Sequence, residues 1–169
     1  MSKNYFDAFE ASPVPPPGPD ATPPDVYRGI YGMPMFVTVP TSDLAASVDF
    51  WVRGLGFIDL FTVPGQITHV RRWAFQDALL VPTGRAAEAP SMTVSFACVL
   101  SEIDGIAQAC AELSPGCTTG PRQTPWNTVD LEVVTPENAR VILTAARVSD
   151  PQSAETKYWE SVGIDVPKG

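Results

Sequence analysis

The sequence predicts an α+β fold: two βαβββ modules behind a proline-rich N-terminal extension. Three observations lead there. The same order of elements, a strand, a helix and then further strands, runs twice along the chain. Residues pair at a 60-residue offset: Phe36 with Phe96, Val39 with Val99, Thr41 with Ser101, Gly56 with Gly116. Residues 13–24, PVPPPGPDATPP, hold seven prolines in twelve positions, a composition that forbids helix and inner strand and leaves polyproline II or an unstructured tail.

In the first unit, MFVTVP (35–40) reads as a strand. Thr41 or Ser42 then caps a helix whose dipole Asp43 complements. Through LAASVDFWVRGL, residues Leu44, Val48, Trp51, Val52 and Leu55 recur at three- and four-residue spacing, one apolar face. Gly54 and Gly56 end it. FIDLFTV (57–63), a Pro64-Gly65 turn, ITHVRRWAF (67–75), a Gln76-Asp77 connection and ALLVP (78–82) complete the unit. After the polar joint TGRAAEAP (83–90), MTVSFACVL (92–100) is a strand, and Ser101 caps a helix that closes at Pro115-Gly116. A loop leads to VDLEVV (129–134), the turn TPEN and ARVILTA (139–145). The limits that follow are an extension over 1–33, a body over 34–146 with modules of about 34–82 and 91–146, and a tail over 147–169 with a short helical stretch.

The chain's 169 residues, 44% of them apolar, suit one compact core. A net charge of -8 repels phosphate backbones, which argues against nucleic acid and favours a cationic ligand. No apolar run reaches the roughly 20 residues of a membrane span, and the N-terminus lacks a signal-peptide pattern. The expectation is a cytoplasmic protein with no membrane partner. Cys98, Cys110 and Cys117 lack CxxC spacing and read as free thiols.

Three stretches carry a resemblance. FVTVPTSDLAASVDFWVRGLGF (36–57) looks like the opening strand, Asp-Leu-x-x-Ser helix start and Leu-Gly-Phe helix end of the vicinal oxygen chelate superfamily, the glyoxalase and bleomycin-resistance proteins. PWNTV (125–129) matches a loop of that family. TPENARVIL (135–143) takes the place of its Asp-Pro-x-Gly-Asn turn and final strand, with Thr135 and Asn138 where Asp and Gly are usual. The resemblance spans residues 34–146. It implies curved sheets enclosing a cavity, and dimers in which modules are often swapped between chains.

Enzymes of that family hold a divalent metal with histidine and glutamate. Here Phe36, Phe96 and Ile142 fall at the places the resemblance assigns to ligands, and His69 is the chain's one histidine. A metal site, a metal cofactor and the metal-dependent activities are therefore not expected. Nor does the sequence contain a Gly-x-Ser-x-Gly elbow or a phosphate loop. Strand alternation does offer a pocket lining. Ile67, His69, Arg71, Trp73 and Phe75 share one face of 67–75, and Asp130 and Glu132 share one face of 129–134. By the resemblance, the face of Phe36 and Thr38 lines the cavity, with Phe61 and Phe96 added to it. Trp126 follows a proline in a loop, at the cavity rim. Each of these side chains also has a plain structural reading, as core or solvated surface. Two functions remain open. One is a homodimer that sequesters a bulky aromatic natural product, cationic or neutral, without changing it, as antibiotic self-resistance proteins do. The other is a metal-independent isomerase or cyclase, with His69 and Asp130 or Glu132 as acid and base.

Overall fold

The computed structural model describes residues 19–29, 36–84, 88, 93–125, 127–148, 150 and 152–161. Tyr5, Phe6, Phe9 and most of the proline run lie outside them. The first module is β1 Val37–Thr41, α1 Leu44–Asp49 continuing into a π-helical stretch Phe50–Gly54, β2 Ile58–Val63, β3 Ile67–Arg72 and β4 Gln76–Pro82. The second is β5 Thr93–Cys98, α2 Leu100–Leu113, β6 Thr118–Gln123, β7 Thr128–Val134 and β8 Arg140–Ala146; α3 Ala154–Ser161 follows. Each module forms its own sheet, in the orders β1-β4-β3-β2 and β5-β8-β7-β6. The first and last strands of each module pair in parallel, and the other pairs are antiparallel. The expected α+β pair of βαβββ modules is what the chain forms.

Alternation along each strand decides which face is buried. Val39, Val70, Ala78 and Leu80 of the first sheet and Phe96, Leu131, Val133, Val141 and Leu143 of the second join a single core. The π-helical stretch packs against α2. Trp51, Phe57 and Phe96 meet edge to face there, at centroid distances of 5.0–6.1 Å. Each sheet turns its other face away from this core. Burial pushes the thiols of Cys98 and Cys110 up to about 12.

Two polar clusters cross between the modules inside that core. Arg72, at the end of β3, is 1% exposed. Its guanidinium donates to the carbonyls of Leu55 and Ala97 at 3.1 Å each and to the Glu102 carboxylate of α2 at 2.5 Å. Gly56 has φ +73°, and a Cβ there would stand 2.8 Å from Arg72 Nη1, so glycine meets both demands. On the other side Glu137, in the β7–β8 turn, is 2% exposed. It accepts from Trp51 Nε1 of the π-helical stretch at 2.5 Å and from Ser47 Oγ of α1 at 2.9 Å.

Several local expectations change. The strand read over 67–75 ends at Arg72, because Trp73 and Phe75 adopt left-handed φ of 52° and 59° in a tight turn. Gln76 and Asp77 belong to β4. Asp43 is the side-chain cap of α1, accepting from Ala46 N at 3.0 Å. Ser101 lies inside the first turn of α2 and donates instead to Ala21 O at 3.0 Å. The segment read as a loop after α2 contains β6, which carries a cis Gly120–Pro121 bond and a register shift.

Candidate functional site

The outward face of the first sheet is organised by one row of the ladder. Register aligns Thr38, Leu79, His69 and Phe61 across all four strands. Phe61 is 56% exposed and Phe36, just before β1, 40% exposed. The Phe36 ring meets the His69 imidazole edge to face at 5.1 Å. His69 Nε2 lies 2.5 Å from Asp77 Oδ1, and the same oxygen accepts from Arg71 Nε at 2.7 Å. The Asp77 side chain is fully buried and that of His69 15% exposed. A carboxylate on Nε2 fixes the proton there and leaves Nδ1 as the acceptor.

Arg71 extends this chain of contacts to the segment before β1. Its Nη1 donates to the carbonyls of Tyr27 and Gly29 at 2.8 and 2.6 Å. The Tyr27 ring lies over the guanidinium at 5.8 Å, and the Tyr27 amide donates to Trp73 O at 2.9 Å. Residues 27–29 thus cover one end of the face, and the imidazole sits at the edge of the covered part.

The corresponding row of the second sheet is Ser95, Ile142, Glu132 and Thr119. Glu132 pairs with Arg140 at 3.0 Å. One row further on, Asp130 Oδ1 accepts from Thr128 Oγ1 at 2.7 Å and Thr144 Oγ1 at 2.8 Å. Thr124 Oγ1 stands 2.7 Å from Thr128 Oγ1 and completes a line of hydroxyls. Gly120, with φ +98°, lets β6 pass this point: a Cβ there would come within 3.0 Å of Asp130 O.

Phe36, Thr38, Phe61, His69 and Arg71 therefore share one outward face, and Asp130 and Glu132 share another. Two expected members do not join them. Trp73 is 6% exposed in the β3–β4 turn, with the Arg72 guanidinium 4.9 Å from its ring centroid. Phe96 is 4% exposed in the core, because its side chain points to the opposite face from that of Phe36. Trp126 lies outside the described residues. Asp77, which the sequence hid in an apparent connection, is the partner of His69; Asp130 and Glu132 are not.

The residues at this site do not fit a divalent metal. The two central rows supply hydroxyls, aliphatic side chains, one imidazole bound to Asp77 and one carboxylate bound to Arg140. Among the described residues no three His, Cys, Asp or Glu side chains gather to hold an ion, where a structural or catalytic site needs three or four donors. No described helix is long and apolar enough to cross a membrane.

No family model matches the chain, and no curated protein matches it in sequence. Solved structures match it in fold. A bleomycin-binding protein from Streptomyces verticillus, complexed with copper(II)-bleomycin, aligns with 70% of this chain and 100% of its own at 19% identity and a TM-score of 0.52. A fosfomycin resistance protein from Listeria monocytogenes aligns with 72% of this chain and 96% of its own at 14% identity and a TM-score of 0.55. A lactoylglutathione lyase from Agrobacterium tumefaciens aligns with 68% of this chain and 94% of its own, at 18% and 0.50. At these identities the likeness is one of fold.

Proposed function

We propose that this chain, which has the fold of the vicinal oxygen chelate superfamily, is a binding protein that sequesters a flat aromatic, cationic natural product without changing it. One observation carries the reading. The first sheet leaves Phe36 and Phe61 uncovered beside an imidazole that Asp77 orients, while the rows suited to a metal hold Leu79 and Ile142. Exposed rings next to a few fixed polar groups are the ingredients of a small-molecule pocket. The acidic balance of the chain favours a cation, and a bleomycin-binding protein is among the structures that share the fold. A second copy of the chain is assigned the wall opposite each outward face. Trp126 is assigned to the rim by its loop position. Resistance then follows by mass action in the cytoplasm, since bound compound cannot reach its target.

A second reading has its own observation. Among the described residues the His69–Asp77 pair leaves Nδ1 unpartnered, the arrangement a general base needs, and would serve a metal-independent isomerase or cyclase. One experiment separates the two. Planar aromatic cations are titrated against the protein by tryptophan quenching, and the bound compound is then recovered and analysed by mass. Recovery unchanged, with Phe36→Ala weakening binding about tenfold, is the expected result. Conversion of more than one equivalent, lost in His69→Ala, would replace sequestration by catalysis.

A further inference from the structure

Asp130 differs from every other well-buried or half-buried carboxylate discussed above. Asp77 is matched by Arg71, Glu102 by Arg72 and Glu132 by Arg140. Glu137 spends both oxygens on Trp51 and Ser47 in the closed core. Asp130 is half-buried on an outward face, and both of its hydrogen bonds end on Oδ1. Arg122 stands opposite it in the β6–β7 register, is exposed, and closes no ion pair with it among the described residues. A partly desolvated anion without a counter-charge is costly, and here it is also held still. Thr144 and Thr128 both donate to one oxygen, and Thr124 backs Thr128, so the second oxygen has a set direction and, among the described residues, no partner.

We propose that Asp130 is the group that reads the ligand's charge, keeping Oδ2 for an N–H of a protonated amine while Thr128 and Thr144 position the carboxylate through Oδ1. This rests on the binding reading above and deepens it, because it names the chemical class. A carboxylate oxygen fixed in direction prefers a cation that can donate a hydrogen bond. A quaternary nitrogen of equal charge has no N–H to give and is better served by ring faces. Glu132, two residues along the same strand, takes no part, since Arg140 already holds it.

Three planar probes of one size divide the possibilities: 9-aminoacridine, a cation with N–H groups; N-methylacridinium, a cation without them at that position; and neutral acridone. Each is titrated by fluorescence against the full chain and its variants. The parent is expected to bind 9-aminoacridine about tenfold or more tighter than acridone, the size of one charge-assisted hydrogen bond. Asp130→Asn should remove that preference and leave acridone within about twofold. Thr144→Val should remove part of it, and Thr144→Ser should restore it, whereas a hydroxyl that served folding alone would, when lost, weaken all three probes alike. Asp104→Asn, which removes an exposed carboxylate of α2, should leave all three unchanged. If Asp130→Asn unfolds, Thr144→Val and Thr144→Ser carry the same test. Equal losses for all three probes in Asp130→Asn, or an intact preference, would overturn the assignment. A parent that binds acridone with no preference for the amine sinks the role of Asp130 and leaves the binding reading standing; a parent that binds none of the three sinks both.

Discussion

Arg72 and Glu137 sit at corresponding corners of the two modules, each in the last hairpin and each reaching the other module's helical segment. Their chemistry differs. Arg72 meets a carboxylate and two carbonyls and stacks on Trp73, so its charge is matched inside the core. Glu137 meets an indole N–H and a serine hydroxyl, and its charge is answered by dipoles alone. A planar fork with several donors can bridge three elements at once, whereas a carboxylate with two oxygens serves two donors. The contrast teaches that one architectural task, fastening a hairpin to the neighbouring helix, sets the position of a polar group but not its sign.

Breaking the two fastenings should give unequal losses. Arg72→Met strands Glu102 without its cation and takes a donor from the carbonyls of Leu55 and Ala97, and should cost about 3–5 kcal/mol, read as a fall in urea midpoint. A cost under about 1 kcal/mol would show that the pair contributes nothing net to folding. Glu137→Gln keeps the shape but turns an amide NH2 toward one of two donors, and should cost about 1–3 kcal/mol. Its cost should change little between low and high salt, since among the described residues no opposite charge pairs with Glu137. A smaller difference lies at the helix starts. Asp43 caps α1 with its side chain, while Val99 cannot cap α2 and Glu102 reaches back to the Val99 amide at 3.5 Å. Asp43→Ala should therefore cost about 1 kcal/mol, and Val99→Ala should show no capping loss in the same assay.

Much of the architecture was legible because apolar alternation and helical spacing are direct consequences of burying one face. The helix over Leu44–Gly54, both sheets and the final hairpins follow from that pattern. What failed did so for physical reasons. Period-2 alternation continues through Trp73 and Phe75 in the sequence, but both residues take a left-handed φ that large side chains rarely adopt, so a turn looked like strand. Asp77 was lost with it. β6 contains Gly120-Pro121, a strong turn signal, yet it is an edge strand, where a proline need donate nothing to a neighbour. The 60-residue offset holds only after the helices, at Gly56 and Gly116, both with positive φ. In the first strands Val39 corresponds to Phe96, 57 residues on, since each pairs with the matching leucine of the last strand, Leu80 or Leu143. A difference of three residues is odd, and an odd shift turns a strand's side chains to the other face. That is why Phe36 and Phe96 look like mates in the sequence and part company in the fold. Which polar groups would meet was hidden further still, because His69–Asp77 and the threonines around Asp130 depend on register between strands.

The segment over residues 19–29 is fastened to both modules. Its Ala21 carbonyl is held by Ser101, 80 residues away, and its Tyr27 carbonyl by Arg71, 44 residues away. A ribosome delivers this stretch before either partner exists. It can be tied down only after α2 has formed and settled beside the first sheet, although closing so long a loop adds little cost beyond a short one. The tie of Ala21 to Ser101 is therefore the last of this segment's fastenings to form, although Ala21 precedes both modules in the chain. The Tyr27 amide hydrogen, bonded to Trp73 O in the first module, should turn slow to exchange as soon as that half has folded, and Ser101→Ala, which cuts the tie to α2, should leave that exchange unchanged, which makes it a clock for the first half rather than for completion.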